Sequence, residues 1–368
     1  MDVEIWTADF VNLGDGLRAS WGILVDGKRV VNAAAVDELR GRYPQLPLVN
    51  KGKYLGIPFV NAHTHLDLSN FETFHGDFAD FIKFVVAGRE KRGLEAVRAV
   101  ADSIPQKTLG DIVANDERVM DWWLRESPYD GVAYWEVLGV YPPAKEEEYL
   151  KRTKELLLRW KTLQRSSGPR LGVSPHSPYS LTPSLMRSIV EFSTAEGLPL
   201  QIHAAESPAE REYFLRRRGP LLEFFESLGL PKDIHPVGLT PIAYLSQAGA
   251  LRSGASLVHG VQVDETDVSI IADSGVTVIS CPRSNLNLNA GLPPYHLYLQ
   301  SGVMLALGSD SLASAETLNV KDDIAALEDA GVPLRNALQA ASSNGYAALG
   351  LTSPRIVAGT DAKLVEFL

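Results

Sequence analysis

Residues 57–66 (IPFVNAHTHL) carry the clearest chemical signal, an apolar run that ends in two imidazoles, His63 and His65. On an extended backbone, residues two apart point to the same side, so one strand end can aim both rings at a single point. Neutral imidazole is the commonest protein ligand for a divalent metal. Three later apolar runs end in the same kind of chemistry. Residues 198–206 (LPLQIHAAE) end in His203 and Glu206, residues 255–260 (ASLVHG) end in His259, and residues 303–311 (VMLALGSDS) end in Asp310. The chain holds 8 histidines, and four of them fall at the ends of strand-like runs. Such a repeated placement points to one shared site rather than to scattered core histidines.

Positioning these groups requires a particular kind of scaffold. Between residues 55 and 351 strand-like and helix-like segments alternate, the pattern of repeated β/α units around a parallel sheet. Strands are expected near 56–63, 108–114, 131–138, 170–175, 198–204, 255–260, 275–281 and 302–309. Helical patterns lie between them, as over 145–158, and Thr182 followed by Pro183 starts another with an N-cap and an N1 proline. Eight such units predict an α/β fold, a (β/α)8 TIM-like barrel whose site lies at the strand C-termini, where His63, His65, His203, His259 and Asp310 all fall. Residues 1–54 and 352–368 read differently, as short strands around turns such as Asp26-Gly27. Neither piece is long enough for its own core. A small β-sandwich domain built from both termini is therefore expected, with 55–351 as the barrel.

Composition narrows the partners. The 368 residues are 45% hydrophobic and 22% charged, ordinary for an enzyme with a large core. A net charge of -10 argues against a nucleic-acid backbone as partner, which needs clustered lysine and arginine. A single cysteine, Cys281, allows no intrachain disulfide and suits a reducing compartment. The N-terminal residues lack a basic region followed by an apolar core, and no apolar run approaches the ~18 residues needed to cross a bilayer. A cytoplasmic protein acting on a small molecule is expected, with neither nucleic acid nor membrane as partner. A homodimer is allowed by the sequence but not written in it.

Six motifs together resemble the amidohydrolase superfamily, and within it the chlorohydrolase/deaminase branch. They are residues 61–66 (NAHTHL), 174–180 (SPHSPYS), 203–206 (HAAE), 258–260 (VHG), 280–285 (SCPRSN) and 307–311 (LGSDS). The likeness covers essentially the whole chain. That branch includes cytosine, guanine and S-adenosylhomocysteine deaminases and triazine hydrolases, and the overall character here is similar to aminodeoxyfutalosine deaminases of the futalosine route to menaquinone. The resemblance implies that His63, His65, His203 and Asp310 bind one metal. Dinuclear members carry a lysine at the end of strand four, where this chain reads Gly172-Val173-Ser174-Pro175-His176. One divalent metal per chain follows, Zn2+ first and Fe2+ second, since imidazole and carboxylate suit both.

Such a set leaves room for a water whose pKa falls to roughly 7 on the metal. Glu206 is expected to shuttle its proton to the leaving group, Asp310 to orient the water as well as bind, and His259 to polarise the substrate. The alternative for Glu206 is a cap on the helix near Pro208. His176, Arg283 and Asn285 are candidate substrate-binding residues on the loops after strands four and seven. Of the stripe Phe71, Phe74, Phe78, Phe81 and Phe84, most should be core and one or two rings could cover an aromatic base. Arg89, Lys91 and Arg92 read as a solvated face. The implied reaction is hydrolytic deamination of a 6-aminopurine nucleoside, with a benzoate on the sugar's 5′ side if the closer likeness holds. The alternatives are S-adenosylhomocysteine/methylthioadenosine or guanine deamination, triazine dechlorination, or a non-catalytic binding module on the same fold.

Overall fold

The computed structural model describes residues 3–140 and 142–368; Met1, Asp2 and Tyr141 lie outside the described residues. Eight parallel strands form one sheet in sequential order: β1 (Val60–Thr64), β2 (Thr108–Val113), β3 (Asp130–Val137), β4 (Arg170–Pro175), β5 (Leu200–Ala204), β6 (Ala255–His259), β7 (Thr277–Ser280) and β8 (Leu305–Leu307). Helices occupy the connections. Thr182 caps the helix after β4, its side chain accepting from Leu185 N, and Pro183 takes the first turn. Seven of the eight strands lie within three residues of the positions read from the sequence and β1 starts four residues later than expected; nearly every strand residue is buried and the apolar runs are correspondingly uninterrupted. Among the described residues no helix is long and apolar enough to cross a membrane.

The ends of the chain build two four-stranded sheets. One pairs Arg29–Ala35, Trp21–Asp26, Val3–Thr7 and Leu48–Asn50. Asp26 pairs with Arg29 across a two-residue loop, and Gly27 takes the positive φ of 55° that this tight turn demands. The other joins Glu366–Phe367, Tyr54–Gly56, Phe10–Asn12 and Leu17–Arg18, so the last residues of the chain pair with residues near its start. Two strands were expected in 352–368; one short strand forms there, preceded by a 3-10 turn at Ala362–Leu364. Val11, Ile23, Leu55 and Ile57 from these sheets pack in one apolar cluster with Val60, Ile112, Val132, Val258 and Ala306 of the barrel. Burying that shared face supplies the driving force that neither short sheet could find alone.

The barrel closes between its first and last strands through backbone just beyond β8. His63 O accepts from both Ser309 N and Asp310 N, each at 3.1 Å, and His65 N donates to Asp310 O at 3.1 Å. Asn61 reinforces this seam, its Nδ2 donating to Ser309 Oγ at 2.7 Å and its Oδ1 accepting from Ser309 N at 3.0 Å. Gly308 makes the approach possible, since a Cβ there would lie 2.7 Å from His63 Cβ and 2.8 Å from His63 O. Gly308→Ala should therefore prise the seam apart, lowering stability by ~1–3 kcal/mol and reducing bound metal. Thermal unfolding and metal analysis check this; unchanged values for both would mean the strands have room to spare.

Candidate active site

His63, His65, His203, His259 and Asp310 all come from strand C-termini or the residues just beyond them, and their side chains meet in one buried cluster. The Nε2 atoms of His65 and His203 stand 3.2 Å apart, and Asp310 Oδ1 lies 3.8 Å from both His63 Nε2 and His65 Nε2. The backbone is bent to bring them there: Ala205, His259 and Asp310 adopt positive φ of 51°, 74° and 61°. Such conformations are sparsely populated by non-glycine residues and cost of order 1–3 kcal/mol each, so the surrounding structure must enforce them.

The neighbours of the cluster decide where each proton sits. His63 Nδ1 lies 2.6 Å from Gln201 Oε1, whose own amide nitrogen donates to Ala62 O at 3.2 Å. His203 Nδ1 lies 2.9 Å from His176 O, and His259 Nδ1 lies 2.8 Å from Asn285 Oδ1. Each of these partners is an acceptor, so each Nδ1 carries the hydrogen and each Nε2 points its lone pair inward. The buried His63 Nε2 has no hydrogen-bond partner among the described residues. Facing lone pairs repel, and a cation between them removes the conflict. Two nitrogens held at about 2.05 Å by a tetrahedral Zn2+ would be ~3.3 Å apart, close to the His65–His203 spacing. The donor set therefore fits one divalent cation. Ser284 Oγ and Ser314 Oγ donate to Asp310 Oδ2 at 2.6 and 3.1 Å, leaving Oδ1 directed at the imidazoles.

Burial sets the charge states. It pushes His63 down to about 4 and holds His65, His203 and His259 below their ordinary value, so all four rings are neutral near pH 7, as metal binding requires. Burial works to raise Asp310, but His65, His63, His259 and the Ser284 hydroxyl together hold it low and ionised. Glu206 moves the other way: burial first, then Asp310 and Glu210, push its carboxyl well up. Its Oε1 lies 3.5 Å from His259 Nε2. The helix after it, Pro208–Arg216, is capped by Ser207, not by Glu206, whose backbone N–H is taken by Glu210 Oε2 at 2.8 Å. The Glu206 carboxyl is thus free of a capping duty and stands beside the cluster.

A cavity of about 360 Å³ opens over the cluster. His65, His203, Glu206, His259 and Asp310 line its floor, and His176 lies beside it, its ring centroid 4.9 Å from that of His203. Two helices form the opposite wall, α1 (Phe78–Ala87) with Phe78, Phe81, Ile82, Val85 and Val86, and α2 (Pro220–Ser227) with Phe224 and Phe225. Phe71, Phe74 and Phe84 stack behind, with centroid spacings of 5.3–5.4 Å. Arg283, expected to face the substrate, does not line this cavity; its guanidinium is committed to Asp323 at 2.7 Å and to Thr317. Asn285 likewise stands behind His259 as its partner and does not line the cavity. Cys281 is fully buried, and burial pushes its thiol up, away from nucleophilic use.

Three residues of the site were not singled out from sequence, or were misjudged. Gln201 is legible in hindsight: two residues before His203 on the same strand, it must point to the same side. Glu136 on β3 is buried, and burial pushes its carboxyl up to about 7. Arg92, read as part of a solvated face, turns inward instead. Its Nε donates to the buried Asp67 at 2.7 Å, and it is the one arginine or lysine among the described residues lining the cavity. A buried carboxylate two residues past His65 selects that orientation.

Residues 57–367 match the Amidohydrolase family. The chain is 36% identical over 365 residues to the aminodeoxyfutalosine deaminase of Deinococcus radiodurans, covering 95% of this chain and 87% of that protein. It is 30% identical over 214 residues to a 5-methylthioadenosine/S-adenosylhomocysteine deaminase of Syntrophobacter fumaroxidans, covering 56% of this chain and 44% of the other. Among solved structures it is similar to the Helicobacter pylori aminofutalosine deaminase in complex with methylthio-coformycin. There the TM-score is 0.75 at 22% identity, over 98% of this chain and 90% of that one.

Two outcomes test the cluster. Purified protein should hold about one divalent metal per chain, and His63→Ala or His203→Ala should release most of it, because a missing ligand opens a closed set. Full retention in both variants would overturn the assignment. Glu206→Gln should keep metal and fold yet lose turnover by at least ~10²-fold, the scale for a positioned acid/base. Metal loss in that variant would make Glu206 a ligand.

Proposed function

The chain belongs to the amidohydrolase family, and from that premise we propose that it is a metal-dependent hydrolytic deaminase of a 6-aminopurine nucleoside, with aminodeoxyfutalosine as its substrate and menaquinone formation by the futalosine route as its setting. The observation that carries this reading is Glu206, its buried carboxyl 3.5 Å from His259 Nε2, set beside converging neutral imidazoles at the floor of a largely apolar cavity. One divalent cation would be held by His63, His65, His203 and Asp310, Zn2+ by preference and Fe2+ as the alternative. Bound there, it supplies the positive charge that makes water a nucleophile at neutral pH.

The chain's own residues do the rest. Hydrolytic deamination exchanges the exocyclic amine for oxygen at a ring carbon, and the ring nitrogen beside that carbon must gain a proton as attack proceeds. Glu206 is placed to carry that proton, because burial pushes its carboxyl well up. Having given it up, Glu206 can take the proton released by water and pass it to the departing ammonia. His259 presents its Nε2 lone pair toward the same space, since Nδ1 is held by Asn285. As the attacking water loses its proton, His259 can share that proton with Glu206, 3.5 Å away, and while holding it steadies charge developing on the attacked ring. His176 stands where it can meet a ring nitrogen or a sugar oxygen, its Nδ1 fixed by Ser177 and Ser180, each at 3.0 Å.

The 36% identity over nearly the whole chain supports aminodeoxyfutalosine first; the shorter match to a methylthioadenosine/S-adenosylhomocysteine deaminase supports those nucleosides second. Ammonia release should be compared at equal concentration for aminodeoxyfutalosine, adenosine, methylthioadenosine, S-adenosylhomocysteine, guanine, cytosine and a chlorotriazine. The benzoate-bearing nucleoside should show the highest kcat/KM, because remote binding energy can be used in the transition state. Faster turnover of guanine, cytosine or the triazine would sink the purine-nucleoside reading, and faster turnover of S-adenosylhomocysteine only the finer one.

A further inference from the structure

Beyond His176 the cavity wall carries two charged groups for which the deamination chemistry has no use. Glu136, the penultimate residue of β3, is 3% exposed and faces the cavity. Its Oε1 is 3.9 Å from His176 Nε2, too far for a hydrogen bond. Arg92 reaches the same wall with its Nε on Asp67. Among the described residues, neither oxygen of Glu136 nor either Nη of Arg92 has a hydrogen-bond partner. A carboxyl and a guanidinium that line one cavity, with no hydrogen bond between them, offer a polar ligand an acceptor and donors side by side.

The charge balance says what kind. Arg92 is the single cation near Asp67, Glu136 and Asp111. A substrate carboxylate at this wall would add a fourth acid against one guanidinium. Hydroxyl groups add no charge; they donate to a carboxylate and accept from a guanidinium with the same oxygen. The position agrees. A purine whose reacting carbon lies at the metal cluster directs its N9, and the sugar on it, away along the cavity past His176. Farther out, α1 and α2 line the cavity with apolar side chains, a match for the aromatic ring of a 5′ substituent.

We propose that Glu136 is a specificity-determining residue that accepts hydrogen bonds from the vicinal 2′- and 3′-hydroxyls of the substrate's ribose, with the Nη groups of Arg92 donating to the same hydroxyl oxygens. This rests on the nucleoside reading above. The two oxygens of one carboxylate match two adjacent hydroxyls, and a site built to bond a hydroxyl rejects the analogue that lacks it, because the buried acceptor is left bare.

The test compares wild type with Glu136→Gln on 6-aminopurine nucleosides that share one 5′ substituent and differ in the sugar: ribo, 2′-deoxy, 3′-deoxy and 2′,3′-dideoxy. Metal content and thermal unfolding are measured alongside. Wild type should favour the ribo over the dideoxy substrate by ~10²-fold or more in kcat/KM, and Glu136→Gln should collapse that ratio to within ~5-fold. Should the Gln variant fail to fold, Glu136→Asp, which keeps the charge but withdraws the oxygens, should shrink the same ratio. A wild-type ratio near one, or an unchanged ratio in a folded, metal-loaded variant, overturns the proposal while leaving the deaminase intact. Turnover confined to free bases or triazines overturns the nucleoside reading itself and this proposal with it.

Discussion

Everything at the site depends on the seam between β1 and β8. There one carbonyl, His63 O, accepts from two consecutive amides of the far end of the barrel, Ser309 and Asp310. Without that junction the Asp310 carboxylate, nearly 250 positions along the chain, has no reason to stand beside His63 and His65. With it, four neutral imidazoles and a carboxylate share a small, buried volume. Low polarity raises the stakes of every unpaired lone pair. The partners outside the cluster remove the freedom to escape: Gln201, the His176 carbonyl and Asn285 are acceptors, and each turns a lone pair inward. The cluster is arranged to be unfavourable alone and favourable around a cation.

The same burial separates the acid roles. Asp310 and Glu206 are both carboxyl groups at the cavity floor, yet their surroundings push one down and the other up. The difference is local. Asp310 receives two serine hydroxyls and faces the imidazoles, whereas Glu206 faces Asp310 and Glu210. Two groups of one chemical type, pushed apart by their neighbours, can then serve as ligand and as proton carrier. The apolar wall from α1 and α2 adds to the low polarity around both carboxyls.

The strand ends were legible in the sequence because a parallel barrel strand is buried on both faces and reads as a compact apolar run, and a histidine closing such a run stands out. His63, His65, His203, His259 and Asp310 were found for this reason, and the structure brings all five together. Side chains that depend on pairing were not legible. Arg92 looks like any surface arginine until Asp67, 25 positions earlier, is seen beneath it. Arg283 looked free to face a substrate because nothing local reveals that Asp323, 40 positions later, holds it. Asn285 follows the right strand but serves His259 from behind. Periodicity reports which face a residue occupies; it is silent on which distant group occupies the same face.

The turn after β1 shows how metal cluster and cavity wall are joined mechanically. Asp111 on β2 accepts from Leu66 N at 2.9 Å and from Trp123 Nε1 at 2.7 Å, fixing the backbone immediately after His65. One residue further, Asp67 fixes Arg92. Three consecutive residues thus bear a ring of the imidazole cluster, the amide that anchors it and the carboxylate that sets the Arg92 guanidinium. A displacement of this turn would move His65 and Arg92 together. The strained φ angles of His259 and Asp310 point the same way, since such conformations persist only where neighbouring structure over-determines them. Rigidity of the strand ends, rather than adaptability of the loops, is what holds the distance between the reacting centre and the wall that faces the rest of the substrate.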